Sequence, residues 1–302
     1  MHLARTEEQV ALAAVVRALL DRHSDSASVR SAAETGTYDT GLWRALCEQV
    51  GVAALPVPEQ YDGIGASLVE SAVVLEELGR NLAPAPLLAN VLSVTQALLH
   101  GTDAQRRDVL PRLAGGEVLP FQLGEVVLEP EHPHSSMDQT LRLALVDRAS
   151  QVPADLRAIS WALLSALQVG AMQRGLEMTV AYSRERVQFG RAIGSFQALK
   201  HRMADMLVLV ESGRSASWGA TTAAAAHLGE PTPERAARLG RLAAVAASHC
   251  TEALEHVASE TVQLHGGIAI TREHDAHLVF KRAHALGQLF GSAREHRAAV
   301  AL

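Results

Sequence analysis

Apolar residues recur every three or four positions through most of this chain, the spacing that turns one face of an α-helix toward a core. Val10, Ala13, Ala14 and Leu20 keep that spacing across residues 6–22, and Thr6 with Gln9 forms the capping-box pair that predicts the helix start. A polar patch over 23–36 separates it from a second helix expected over 39–50, with Gly51 as its stop. Residues 55–65 hold Pro56, Pro58, Gly63 and Gly65 and read as an ordered loop. Helices are expected over 68–80, 86–100 and 102–114, with 81–86 breaking the first two apart.

Between 115 and 153 the texture changes. Residues 118–123, 125–128 and 139–146 read as short strands, the last with partial alternation, and the proline- and histidine-rich 129–136 as a loop. A sheet this small is not independently stable. After Pro153 the helical spacing resumes over 156–182, 196–228, 233–264, 275–287 and 293 to the end. Thr232 is a good N-cap with Pro233 at the first helical position. Several of these segments exceed about 25 residues, which suits a bundle of long antiparallel helices. The alanine-rich 216–226 allows close helix approach, and no solenoid repeat is visible.

Composition narrows the class. The 302 residues are 48% hydrophobic and 20% charged, as in ordinary globular proteins, and aromatics at 4% favour helix over sheet. A net charge of -6 argues against nucleic acid or an anionic membrane surface as the main partner. Cys47 and Cys250 stand without a CxxC context, so neither a disulfide framework nor a zinc site is expected, and the 14 histidines show no convincing metal-ligand spacing. The N-terminus lacks a basic segment followed by an apolar run, and no apolar stretch approaches membrane-spanning length. These features lead to the expectation of a cytoplasmic, mainly α protein.

Two segments carry candidate chemistry. The first contains Tyr182, Arg184, Arg186, Gln188, Phe189, Gly190 and Gln197. Arginine presents a planar fork of donors that matches a phosphate, and a glutamine amide both donates and accepts. Phe189 offers a flat apolar surface and Gly190 a break, so the next helix is expected to begin near Gly194, with Ser195 as its N-cap and an anion-favouring terminus. An arginine-rich, solvated helix end is the open alternative. The second segment is Gln263, Leu264, His265, Gly266 and Gly267, where adjacent glycines let a backbone approach a ligand and leave amides free for anions. A glycine cap ending the preceding helix is the alternative there.

Together, in this order, the two segments resemble the flavin signature of the acyl-CoA dehydrogenase family. Thr271, Glu273, His277 and Leu278 continue the similarity, as do Trp43, Leu46, Gly51, Pro58, Glu59, Gly63 and Gly65 near the N-terminus. The likeness covers nearly everything outside 115–153 and is closest to small actinobacterial-type subunits that pair with a second dehydrogenase chain. It implies an N-terminal helical domain (1–114), a much reduced middle β segment (115–153) and a C-terminal four-helix bundle (154–302). It also implies FAD, with Arg186, Phe189, Gln197, Gln263, Leu264, His265, Gly266 and Gly267 as cofactor contacts and Gly291 near an acyl-CoA substrate. In the family these contacts reach a cofactor held mainly by a neighbouring subunit.

The chain departs from the family pattern at the catalytic base. Phe290 and Ser160 occupy the two positions where members carry the glutamate that removes the proton alpha to the thioester carbonyl. Asp155, Glu129, Glu131 and Glu295 are remaining acids, each expected on the solvated surface, and His265, His274 and His284 are further bases. The expectation is therefore a subunit of a heteromeric acyl-CoA dehydrogenase that completes a partner's FAD site. The resemblance hints at bulky, steroid-derived thioesters. The alternatives are a homo-oligomeric FAD enzyme with an unconventional base and a flavin-free helical scaffold.

Overall fold

The computed structural model describes residues 4–134 and 136–300. Ser135, within the expected 129–136 loop, and the last two residues of the expected final helix lie outside the described residues. Helix α1 (Glu7–His23) starts where expected: Thr6 accepts from the Gln9 N–H and the Gln9 side chain returns the bond. The polar patch after it contains a helix that periodicity missed, α2 (Ser26–Thr35), capped by Asp25 on the Ser28 N–H and ended by Gly36 at φ 64°. It buries only Val29 and Ala32, too few apolar positions to show a period.

Helix α3 (Thr40–Ala45) runs on through a π turn and stops at Gly51, φ 76°. Helices α4 (Leu68–Asn81), α5 (Leu87–His100) and α6 (Asp103–Ala114) follow, separated by a left-handed Leu82 and by Gly101. The middle of the chain forms a three-stranded antiparallel sheet of β1 (Phe121–Leu123), β2 (Val126–Leu128) and β3 (Leu143–Leu145), in that order. Phe121 faces Leu128 and Val126 faces Leu145 across the ladders. The third strand is shorter than expected because Asp138 folds its neighbours into a turn, accepting from both the N–H and the hydroxyl of Thr140.

The rest is helical: α7 (Ala154–Glu185), α8 (Gln197–Gly229), α9 (Pro233–His265), α10 (Ala276–Gln288) and α11 (Ala293–Val300), with a two-stranded hairpin of β4 (Val187–Gln188) and β5 (Arg191–Ala192) between α7 and α8. Short connections make α7, α8 and α9 run alternately up and down. Helices α4 and α7 cross nearly backbone to backbone. A Cβ on Gly170 would stand 1.9 Å from the Glu76 carbonyl oxygen, and one on Gly79 2.2 Å from that of Leu167.

Arg282 ties these layers together. It lies on α10 and is 1% exposed. Its Nε donates to Asp138 at 2.5 Å, and Nη2 donates to the Thr140 hydroxyl at 2.5 Å and to the Leu82 carbonyl at 3.2 Å. One guanidinium therefore holds the middle segment and the α4–α5 corner against the bundle. Replacing it strands the Asp138 carboxylate in the interior, so Arg282→Met should cost about 3–5 kcal/mol, read by urea denaturation. Adding Asp138→Asn, which removes the stranded charge and keeps an acceptor for the Thr140 N–H and hydroxyl, should recover part of that loss.

Candidate functional site

Because the long helices alternate in direction, the end of α7, the β4–β5 hairpin, the start of α8, the end of α9 and the entry to α10 gather at one end of the bundle. Arg186 closes α7 by donating its N–H to the Tyr182 carbonyl, and its own carbonyl accepts from Ile193 N–H across the hairpin. Its guanidinium is exposed and makes no hydrogen bond or ion pair with another described residue. The hairpin itself was not legible as strand. Phe189 at φ 51° and Gly190 at φ 76° are the two central residues of a left-handed turn of the kind that suits hairpin twist. A phenylalanine there is strained, and the residue is 91% exposed, its ring edge-on to Phe196 at 6.2 Å. The Arg191 guanidinium lies 4.0 Å above the Phe196 ring.

Ser195 does not cap α8. Residues Ile193–Ser195 form a 3-10 turn in which the Ser195 hydroxyl donates to the Ala192 carbonyl, and α8 begins at Gln197 with no side-chain cap. The serine spends its hydroxyl one residue too early, so the anion site expected at a capped terminus is not formed that way. Gln197 is exposed and its amide pairs with the His201 ring at 2.9 Å.

At the end of α9, Gln263 is exposed while the side chains of Leu264 and His265 turn inward. The His265 Nδ1–H donates to the Thr261 carbonyl at 2.7 Å, and its ring stacks on Tyr182 with centroids 4.5 Å apart. Gly266 takes φ 64°, ψ -144°, a combination essentially restricted to glycine, and its N–H closes α9 on the Val262 carbonyl. That amide is therefore not free for an anion, contrary to expectation. The space over Gly266 and Gly267 is open, with nothing within 4 Å of either missing Cβ.

The two expected base positions lie together at the opposite end. Ser160 is fully buried and its hydroxyl donates to the Arg157 carbonyl. Trp161 Nε1–H and His296 Nε2–H both donate to the Phe290 carbonyl, at 3.0 and 3.1 Å, and Trp161 packs edge-on against His296. Gly291 turns at φ 109° beside His296. A cavity nearby, lined by Leu88, Leu128, Glu129, Leu167 and Leu289, has room for about 30 Å³, the space of a water or two rather than an acyl chain. The separation between the ends, from Ser160 to Tyr182 along α7, is about 33 Å at 1.5 Å per residue.

Of the acids, Glu129 is not on the solvated surface. Its side chain is 12% exposed, at φ 50°, 3.1 Å from the Arg142 Nε. Burial pushes its pKa up to about 7 against the opposing pull of Arg142. A loop-like composition hid this, because nothing local marks a carboxyl that a distant arginine will cover. Asp155 accepts from the Leu156 N–H at 2.8 Å and pairs with His100 at 3.1 Å. Burial works to raise its pKa, but these bonds and His227 hold it lowered. The Glu295 carboxylate accepts from the Ser292 N–H and hydroxyl at the start of α11, while Glu131 and His284 are exposed.

The model of the acyl-CoA dehydrogenase N-terminal domain matches residues 6–117, and that of the C-terminal domain matches residues 158–301. Acyl-CoA dehydrogenase IpdE2 of Mycolicibacterium smegmatis is 43% identical over 325 aligned positions that cover 96% of each chain. This chain belongs to the acyl-CoA dehydrogenase family. IpdE2 of Mycobacterium tuberculosis is likewise 43% identical, over 96% of this chain and 95% of the relative. Butyryl-CoA dehydrogenase from Megasphaera elsdenii shares the fold at a TM-score of 0.82 and 18% identity, covering 100% of this chain and 99% of that one. A chain of the ChsE4-ChsE5 complex from Mycobacterium tuberculosis does so at 0.81 and 22%, covering 100% and 98%. The acyl-CoA dehydrogenase fold is thus present with a middle sheet of three short strands. Among the described residues no helix is long and apolar enough to cross a membrane.

Two predictions follow from the strained residues. Phe189→Asn, better suited to a left-handed turn, should leave the chain unchanged or more stable by about 1 kcal/mol in thermal unfolding. Glu129 titrates from its ordinary 4.5 when unfolded to about 7 when folded, so its contribution to stability is complete below pH 4.5 and lost as pH rises to 7. Wild type minus Glu129→Gln, followed by denaturant midpoints across that range, should fall by on the order of 3 kcal/mol.

Proposed function

We propose that this chain is a subunit of an FAD-dependent acyl-CoA dehydrogenase assembly and completes a flavin site whose remainder lies in another subunit. The observation that carries the reading is the opposition between its two ends. At one, Arg186, Phe189, Gln197 and Gln263 project outward, beside glycines with open space above them. At the other, both base positions are apolar or neutral and the adjoining cavity is nearly filled.

The outward group fits part of a flavin dinucleotide. Arg186 presents an exposed fork for the diphosphate, Gly266 and Gly267 allow close backbone approach, and the Gln197 and Gln263 amides can pair with polar edges of the nucleotide. FAD, when bound, supplies the acceptor for the hydride that leaves the beta carbon of the thioester. In this reading the carboxylate that takes the alpha proton comes from the partner chain, since Phe290 and Ser160 can accept none. The ChsE4-ChsE5 fold neighbour, a complex of two named proteins, supports a heteromeric arrangement.

One observation favours a second reading, a single-chain FAD enzyme with its own base: Glu129 is a buried acid with a pKa near 7, suited to proton transfer. The small cavity beside it, with room for about 30 Å³, counts against that reading.

The test is co-expression with a second acyl-CoA dehydrogenase chain from the same genome. The complex should be yellow and active and this chain alone colourless. Arg186→Ala should weaken FAD retention by about tenfold or more without dissolving the assembly, since a charge-assisted phosphate contact is lost and no internal bond is broken. A stoichiometric, active flavoprotein from this chain alone would overturn the proposal.

A further inference from the structure

Tyr182, His265 and His274 come from the three segments that build the outward end: the last turn of α7, the last residue of α9 and the turn before α10. The Tyr182 and His265 rings stack at 4.5 Å with planes 26° apart. His274 lies 4.5 Å from His265 and meets Tyr182 edge-on at 5.9 Å. His265 is 4% exposed, and because its Nδ1–H donates to Thr261, Nε2 is left as an acceptor with no hydrogen-bond partner among the described residues. The His274 Nδ1 accepts from the Ala276 N–H at 3.2 Å. The stack adjoins Gly266 on one side and the Tyr182 carbonyl that anchors Arg186 on the other.

We propose that this stack is a pH-sensitive buttress: uncharged, it fixes the Gly266–Gly267 turn against the root of the hairpin, and proton uptake by either ring loosens both. Its bearing on flavin rests on the function proposed above. A proton on His265 Nε2 charges a buried ring stacked on a phenol, with a second imidazole 4.5 Å away.

The groups facing the pair set the direction. Burial lowers the His265 pKa and His274 adds to this, while the Thr261 and Met178 carbonyls work against it. Burial also lowers that of His274, with Asp275 opposing and Arg30, Arg174 and His277 reinforcing. Asp275 already pairs with Arg30 at 2.5 Å and Arg174 at 3.7 Å. His277, lowered by burial and by Lys281 and Arg30, donates its Nδ1–H to the His274 carbonyl. Folded values depressed below 6.5 give stability that is present above that pH and lost as pH falls through them.

Hydrogen exchange on the full chain, corrected for intrinsic rates, tests this without flavin or partner. Between about pH 7.5 and 5, protection over 262–271 and the hairpin root at 186–193 should drop about tenfold or more, while the centres of α7, α8 and α9 keep theirs. His274→Gln, at a half-exposed position, removes one of the two protonation sites and should diminish the drop. His265→Gln should do the same where it folds. Equal wild-type protection at both pH values, or an undiminished drop in His274→Gln, would overturn the proposal. The flavin reading fails separately, if no yellow complex forms.

Discussion

Arg282, carried by α10 of the bundle, is buried where three parts of the chain meet: it donates two hydrogen bonds to the middle segment, at Asp138 and Thr140, and one to the α4–α5 corner, at the Leu82 carbonyl. The middle sheet has three strands of three residues and cannot stand alone. Its attachment includes this clamp, an Arg142 hydrogen bond to the Gly36 carbonyl, and Phe121, Leu123 and Leu128 packed on the common core. A buried ion pair adds little net stability but is costly to break, and it admits only one register. Here that register also fixes α10, which carries His274 just before its start and Leu289 and Phe290 just after its end.

The two ends of the bundle are specialised in opposite ways. The end that holds Phe290 is closed by hydrogen bonds from Trp161 and His296 to the Phe290 carbonyl, so the loop there serves as a strut. The other end carries features that stability does not require: an exposed phenylalanine in a left-handed turn and an arginine whose guanidinium has no partner among the described residues. Strain and exposed apolar surface of this kind are retained where they meet something outside the chain. The roughly 33 Å between the ends along α7 makes it natural for them to serve different sites.

The long helices were legible because each buries a recurring face over many turns, and caps such as Thr6, Thr232 and Gly51 punctuate them. Helix α2 was not, having only two buried apolar residues to report it. The β4–β5 hairpin is two residues a side, below any detectable alternation, and its turn uses phenylalanine where asparagine or glycine would have signalled it. The motif residues of the candidate site were visible as residue types, and their outward or inward aim was not. Leu264 and His265 face the interior because α9 still has helical phase there, while Ser195 turns back to Ala192 because the chain tightens into a 3-10 turn. Glu129 was misplaced because its burial is made by Arg142 and the distant helices α4 and α5, none of which local composition encodes.

If the outward end of this chain meets a flavin held by another subunit, as proposed, a structure of the flavin-loaded assembly will show it. The Arg186 guanidinium of this chain should lie on the diphosphate, with Gly266 and Gly267 alongside and the isoalloxazine ring enclosed by the partner's residues. A flavin whose ring lies within this chain, between its own middle sheet and the Phe290 loop, would contradict it.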